Sequence, residues 1–166
     1  MVSVYNQSIS VSKKIHTTEF KLWKFISSPG YLNSSHPFCK ENKIISWNKK
    51  SHIDQLIYLN NLKYIREFMI WNENEGYTLL IGEKNKKKSK VNWKISSINK
   101  ETYLTITVYP YFLSSYPKII SSLPYKLYIR PKLEEYLKSV LKGINWYLEK
   151  GEKVPRNAFG KHSWFS

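Results

Sequence analysis

Apolar and polar residues alternate through the middle of the chain, which is the pattern of β-strands whose two faces meet different surroundings. Six stretches show it, at 43–47, 54–59, 62–71, 76–83, 90–98 and 102–112. A weaker alternation in VYNQSISVSKKI, residues 4–15, predicts a strand before them. The connections are short, and the pair Asn60-Asn61 tolerates the positive φ angles of a tight hairpin turn. The pattern therefore predicts seven strands in a mostly antiparallel sheet.

Two other parts of the chain have the spacing of amphipathic helices. In TTEFKLWKFISSPG, residues 17–30, Leu22, Phe25 and Ile26 share one face and Thr18 is placed to cap the first turn. A second short helix or turn follows in PGYLNSSH, residues 29–36. The last helix is predicted from Pro131 to Gly151, about twenty residues or roughly 30 Å long. Its apolar stripe comprises Leu133, Leu137, Val140, Leu141, Ile144 and Leu148.

The order of these elements, one strand, two short helices, six strands and a long helix, resembles that of the helix-grip or SRPBCC superfamily. This group includes START lipid-transfer domains, polyketide cyclases and birch-pollen-allergen-like proteins. The resemblance covers roughly residues 2–150 and includes the strand-then-helix opening VSKKIHTTEFKLWKFISSPG, residues 11–30. It implies an α+β fold in which a curved seven-stranded antiparallel sheet wraps around the last helix and leaves a cavity between them.

The length and composition of the chain indicate the number of domains and the cellular compartment. A chain of 166 residues that is 42% hydrophobic suits one domain, which we place at 1–151. The aromatic tail 152–166 is expected to fold back over that domain. One cysteine excludes an internal disulfide, and no CxxC or HxxxH pair suggests a metal site, so neither metal nor cofactor is predicted. With no leader or long apolar run, we expect a cytoplasmic protein.

The net charge of +15 raises the question of an anionic partner. Its cations are 24 lysines against 3 arginines, and arginine is the residue that phosphate and base recognition favour. Nucleic acid is therefore not the expected partner. Residues 84–166 carry +12 of the total, so peripheral contact with an anionic membrane stays open. The lysine-rich segment 83–90 is better explained as a solvated hairpin tip, with attraction to anionic lipid as the alternative.

Candidate cavity residues come from the strands. Tyr64, Phe68, Tyr77 and Trp93 lie at alternating positions where they would form an apolar wall, although plain core packing explains them too. Arg66 stands mid-strand beside Glu67, so alternation sends the two charges to opposite faces. The inward charge then needs a partner within the protein, or it anchors the carboxylate or phosphate of an otherwise hydrophobic ligand.

The stretch SSPGYLNSSHPFC, residues 27–39, offers the rest of the candidates. In a helix-grip protein it leads from the short helices into the second strand, where Tyr31 and Phe38 would close over a ligand with His36 at the rim. The alternatives are a plain corner, or a reactive pair in which His36 lowers the pKa of the Cys39 thiol. The prolines from 110 to 131 predict an irregular connection that forms a lid or a membrane-touching loop, or simply covers the open end of the sheet.

Three functions follow from the resemblance and the composition. The first is binding, transport or sensing of a hydrophobic small molecule, such as a lipid, isoprenoid or polyketide-like compound, by a monomer or weak dimer. The second is an enzyme of the polyketide cyclase or dehydratase kind, for which no catalytic residue can be assigned. The third is a binder of anionic membrane or nucleic-acid surfaces. The first is the interpretation that the sequence favours.

Overall fold

A computed structural model describes residues 7–111 and 125–166. Its elements follow in this order: β1 (Ile9–Lys14), α1 (Glu19–Ile26), α2 (Leu32–Ser35), β2 (Cys39–Asn48), β3 (Ser51–Tyr58), β4 (Lys63–Asn72), β5 (Gly76–Gly82), β6 (Ser89–Ile98), β7 (Glu101–Tyr109), a π-helical turn (Tyr125–Ile129) and α3 (Arg130–Lys150). The start of the first predicted strand and most of the predicted proline-rich connection lie outside the described residues.

The strands form one antiparallel sheet in the order β1-β7-β6-β5-β4-β3-β2. Every neighbour follows its partner in the chain except β1, which pairs with the last strand, from Ile9 opposite Val108 to Lys14 opposite Tyr103. The predicted α+β architecture of seven antiparallel strands, two short helices and a long C-terminal helix is confirmed. The strands bend at irregularities in β2, between Ile44 and Ser46, and in β4, between Phe68 and Ile70.

The turn between β3 and β4 is one residue longer than the Asn60-Asn61 pair predicts. The amide of Tyr58 donates to the carbonyl of Leu62, so three residues form the loop, and Asn61 has φ of 68°. A two-residue turn would set Asp54 opposite Glu67, whereas the observed loop sets Asp54 opposite Arg66. This shift of one residue decides which charges meet inside the protein.

The apolar stripe of α3 packs against the sheet and covers the core. Pro131 lies in its first turn, and Gly151 ends it in the left-handed conformation with φ of 71°. Gly143 interrupts the stripe and meets α2, since a Cβ at this position would lie 2.0 Å from the carbonyl oxygen of Ser35. The two helices therefore touch backbone to backbone.

The tail after α3 lies across α2 and the start of β2. The amide of Val154 donates to the carbonyl of Ser34, and the amide of Asn157 donates to the carbonyl of Pro37, both at 2.9 Å. At the far end, the Phe165 ring stacks on that of Tyr58 with 4.4 Å between centroids. His162 is buried and bonds the carbonyl of Lys132 at 2.9 Å, which ties the tail to α3.

Candidate ligand-binding cavity

A cavity of about 250 Å³ lies between the sheet and α3. This volume equals roughly eight water molecules at liquid density. Its wall is mainly aliphatic and comes from strands β3, β5, β6 and β7 and from α3: Leu56, Leu79, Ile81, Val91, Ile106, Val108, Leu133, Leu137 and Val140. A wall of this kind favours an apolar occupant over water, because water needs polar partners.

One end of the cavity reaches the surface, and charged and aromatic residues surround it. The connection from β5 to β6 supplies Glu83, Lys86 and Lys87, and the lysines are exposed. Lys86 pairs with Glu83 at 2.8 Å, while the Lys87 ammonium lies 5.0 Å from the centre of the Tyr111 ring. Trp164 of the tail also lines the cavity. We call this end the mouth, defined by Glu83, Lys86, Lys87, Tyr111 and Trp164.

A short chain of hydrogen bonds crosses the cavity wall through His36, Tyr136 and Tyr58. The His36 Nε2 atom lies 2.9 Å from the Tyr136 hydroxyl, which lies 3.1 Å from the Tyr58 hydroxyl. The backbone N–H of Phe38 donates to Nδ1 of His36 at 3.2 Å. Since Nδ1 accepts, the neutral ring carries its proton on Nε2 and donates it to Tyr136.

The three hydrogen-bonded side chains are uncharged at neutral pH. Burial, together with the positive charge of Arg66, lowers the pKa of His36 to about 3. Burial raises the pKa of Tyr58 well above its usual value, and it also raises the pKa of Tyr136. The three side chains therefore present neutral hydrogen-bonding groups to whatever occupies the cavity.

Arg66 lies at the inner end of the cavity and is paired within the protein. Its Nε atom donates to Oδ1 of Asp54 at 2.7 Å and its Nη2 atom donates to Oδ2 at 2.5 Å. Nη1 donates to the Tyr31 hydroxyl at 3.2 Å. Arg66 is 2% exposed and Asp54 is 0% exposed, so the charge is compensated out of contact with water. Of the two partners that the sequence left open, the structure shows the one inside the protein.

The eight candidate residues divide into two groups of four. His36, Tyr64, Arg66 and Trp93 line the cavity. Tyr31, Phe38, Phe68 and Tyr77 lie in the surrounding core, and the structure does not bring them to the cavity wall.

The division falls at Arg66, although Phe68 follows it on the same face of β4. The guanidinium carbon lies 5.4 Å from the centre of the Tyr31 ring and 5.2 Å from that of Phe68. Behind it, the hydroxyls of Tyr31 and Tyr77 share a hydrogen bond of 2.6 Å. Arg66 and these rings fill the space, so the cavity ends there.

Phe38 is separated from the cavity by the Tyr136 ring, on which it stacks with 5.9 Å between centroids. Tyr136 was missed as a candidate, although it follows Leu133 by three residues on the inward side of α3. Tyr58 and Trp164 were missed as well. Tyr58 follows Leu56 by two residues on the same face of β3, so alternation along the strand could have identified it. Trp164 is brought to the mouth only by the folded tail.

The Cys39 thiol and the His36 ring have separate surroundings. Burial raises the pKa of the thiol to about 12, so it stays protonated at neutral pH. Both ring nitrogens of His36 bond elsewhere, to Tyr136 and to the backbone of Phe38. What joins the two residues is a backbone bond from the Cys39 amide to the His36 carbonyl at 3.1 Å. The stretch is a packed corner beside the cavity in the structure.

Solved structures share this arrangement of elements. TTHA0849 from Thermus thermophilus matches with a TM-score of 0.69 and 12% identity over 87% of this chain and 99% of that one. Ara h 8.0201, a birch-pollen-allergen-like protein, matches with a TM-score of 0.63 and 12% identity over 86% of this chain and 97% of that one. The chain has the helix-grip fold.

A third helix-grip structure is DynU16, a putative protein in the dynemicin biosynthetic locus. It matches with a TM-score of 0.67 and 11% identity over 89% of this chain. The match covers 49% of DynU16, so this chain spans about half of its length. No protein-family model and no curated protein matches the sequence. At these identities the comparison establishes the helix-grip fold, and the roles of individual residues rest on the geometry above.

Two other kinds of feature are absent from the described residues. Within 7–111 and 125–166, no three histidine, cysteine, aspartate or glutamate side chains converge as metal ligands would. Among the helices in the same ranges, none has the length and apolarity needed to cross a bilayer.

Proposed function

We propose that this helix-grip protein binds a hydrophobic small molecule in the cavity between the sheet and α3, as a carrier or sensor. The observation that carries the proposal is the aliphatic cavity itself, with a few polar side chains placed along one wall. Binding sites for small molecules commonly combine an apolar wall with few orienting groups. A lipid, an isoprenoid or a polyketide-like compound would fit this description.

Binding is favoured over catalysis by the state of the polar groups. A general acid or base works best with a pKa near the operating pH. The pKa of His36 is lowered to about 3, and those of Tyr58 and Tyr136 are raised by burial. Asp54 and Arg66 are engaged with each other. These groups suit orientation of a ligand better than proton transfer at neutral pH.

Native mass spectrometry of the purified protein tests the proposal. We expect one apolar molecule per chain, identified after extraction into organic solvent. Val140→Trp, which would fill the cavity from α3, should abolish the adduct. Lys138→Trp places the same ring on the exposed side of the same helix and should retain it.

Val91→Phe fills the cavity from β6 and serves as a second variant if Val140→Trp fails to fold. Wild-type protein that carries no apolar molecule and takes up none from an offered lipid extract would contradict the proposal. An adduct that persists in both folded cavity-filling variants would place the ligand elsewhere.

A second candidate function is contact with an anionic membrane while the ligand is exchanged. Lys86 and Lys87 are exposed at the mouth, and the large apolar side chains of Leu127 and Tyr128 are 71% and 59% exposed at the base of α3. The Tyr128 ring lies 6.1 Å from that of Trp164 at the mouth. Cations near such a surface each contribute about 1 kcal/mol of attraction.

Vesicle sedimentation tests this second candidate. We expect binding to vesicles with phosphatidylserine, little binding to vesicles of phosphatidylcholine alone, and loss of binding as salt rises from about 50 to 200 mM. Substituting Lys86 and Lys87 with glutamine should weaken it more than substituting Lys13 and Lys21, which lie away from the mouth. Equal effects of the two pairs of substitutions would show that membrane binding does not involve the mouth. A monomer or weak dimer in the cytoplasm remains part of the proposal.

A further inference from the structure

The three hydrogen-bonded side chains on the cavity wall carry more donor protons than there are hydrogen bonds between them. His36, Tyr136 and Tyr58 each bring one side-chain proton, on Nε2 and on the two hydroxyls. Two bonds join them, His36 to Tyr136 and Tyr136 to Tyr58. One hydroxyl proton is therefore left without an acceptor among the described residues. It belongs to Tyr58 if Tyr136 donates between them, and to Tyr136 if Tyr58 donates.

Both tyrosines line the cavity, so the spare proton belongs to a side chain that borders the space open to a ligand. A buried donor with no acceptor is costly, and with none among the described residues the proton is left to water in the empty cavity. An apolar ligand that expels this water must bring an acceptor of its own, or binding leaves the proton unpaired.

The charges around the inner end decide what kind of acceptor fits. Arg66 is the one cation there among the described residues, and both oxygens of Asp54 compensate it at 2.5 to 2.7 Å. His36 is neutral. A carboxylate or phosphate placed beside the spare proton would add a net buried charge, and the part of the chain that the structure describes offers no free cation at the inner end to balance it. A carbonyl or hydroxyl oxygen would accept the same proton without that cost.

We propose that the ligand is an uncharged apolar molecule with a carbonyl or hydroxyl oxygen, which accepts the spare hydroxyl proton of the Tyr58–Tyr136 pair. This inference rests on the proposed binding function and names the chemical class that the cavity selects. It disfavours fatty-acid anions and phosphorylated isoprenoids that would place their charged group at the inner end. The Arg66–Asp54 pair acts as a neutral end wall in this arrangement.

Two probes of equal chain length test the inference, 2-decanone and decanoate at neutral pH. Displacement of a fluorescent apolar dye measures both dissociation constants. We expect 2-decanone to bind at least ten-fold more tightly than decanoate. Equal or tighter binding of decanoate would overturn the inference and leave the proposed binding function intact. Failure of both probes to displace the dye would overturn both.

Infrared spectroscopy of 2-decanone with a ¹³C-labelled carbonyl reads out the hydrogen bond itself. In the wild-type complex the carbonyl stretch should lie below its position in hexane. The double variant Tyr58→Phe/Tyr136→Phe should return the band toward that position and weaken 2-decanone binding about ten-fold. Tyr147→Phe makes the same change on α3 away from the cavity and should leave both unaltered.

An unshifted band in the wild-type complex would overturn the inference. A shifted band that persists in the folded double variant would overturn the assignment to these tyrosines. Tryptophan fluorescence and thermal melting establish that the variants are folded. The comparison of 2-decanone with decanoate uses wild-type protein and does not depend on them.

Discussion

At the scale of residues, the Asp54–Arg66 pair is the most demanding feature of the core. Two charges removed from water are each costly, and this cost is offset by their two short hydrogen bonds to each other and by a third from Arg66 to Tyr31. The pair joins β3 to β4 and closes the inner end of the cavity. Its loss should therefore affect stability first and ligand binding second.

Asp54→Ala should lower the free energy of unfolding by about 3 to 5 kcal/mol, because it leaves the buried guanidinium without a counter-charge. Urea denaturation measures the change. Glu67→Ala, one position along β4 from Arg66, removes a partly exposed pair with Lys88 and should cost less than about 1 kcal/mol. Asp54→Leu with Arg66→Met should recover most of the lost stability. An Asp54→Ala protein as stable as the wild type would contradict the account of the pair.

His36 gives the protein a pH-dependent stability. Its pKa is about 3 in the folded protein against an ordinary 6.5, so the unfolded chain binds its proton first as pH falls. Its contribution is therefore fully present above pH 6.5 and is lost progressively as pH falls towards 3.

Between pH 7 and pH 5 this loss amounts to about 2 kcal/mol from His36. Unfolding in urea at both pH values measures it. His36→Gln should flatten the dependence, whereas His52→Gln should leave most of it, since His52 is only partly buried at the surface. An unchanged slope in His36→Gln would mean that the histidine is not held neutral in the folded state.

At the scale of elements, the contact between α2 and α3 depends on a residue without a side chain. Alanine at an ordinary helix position is favoured over glycine by about 1 kcal/mol. At Gly143 the added Cβ would meet the Ser35 carbonyl oxygen at 2.0 Å, and this oxygen is a backbone atom that cannot turn away as a flexible side chain would. The clash should outweigh the gain in helix propensity.

Gly143→Ala should therefore destabilise the protein by about 1 to 3 kcal/mol, measured as a shift of the urea midpoint at constant slope. Lys142→Ala, at the exposed neighbouring position, should change stability by less than about 0.5 kcal/mol. A stabilised Gly143→Ala protein would show that α2 moves away easily and does not fix the helix.

The elements themselves were predictable because their patterns are local. Leu104, Ile106 and Val108 alternate with polar residues in β7, and Leu133, Leu137 and Val140 recur at helical spacing in α3. Registers were not predictable, because one residue more in the β3–β4 loop moves Asp54 from Glu67 to Arg66. Asp54 therefore gave no sign in the sequence that it would be the partner of Arg66.

The candidate site was predictable in part for a related reason. Alternation identifies the two faces of a strand, but it does not say where along that face a cavity ends. Tyr64 and Arg66 line the cavity while Phe68, two residues further on the same strand, does not. That boundary arises from the packing of Tyr31 beside Arg66, a contact between residues 35 positions apart. Such contacts follow from the completed fold.

At the scale of the whole molecule, a ligand inside the core should stabilise the fold, because it binds the folded state alone. At a free concentration of one hundred times its dissociation constant, the gain is about 2.7 kcal/mol. For a chain of this length we expect 2-decanone to raise the melting temperature by roughly 5 to 10 °C. Val140→Trp should melt at the same temperature with and without it. A rise of equal size in that variant would indicate binding outside the cavity.

The most direct test of the central claim is to locate a bound molecule by isotope-filtered NMR. Unlabelled 2-decanone is added to ¹³C-labelled protein, and nuclear Overhauser contacts between them are recorded. We predict contacts to the methyl groups of Leu79, Ile106 and Val140 inside the cavity, and none to the exposed Met69 or Ile98. Contacts confined to the exposed methyls, or no contacts at a saturating concentration, would contradict binding in the cavity.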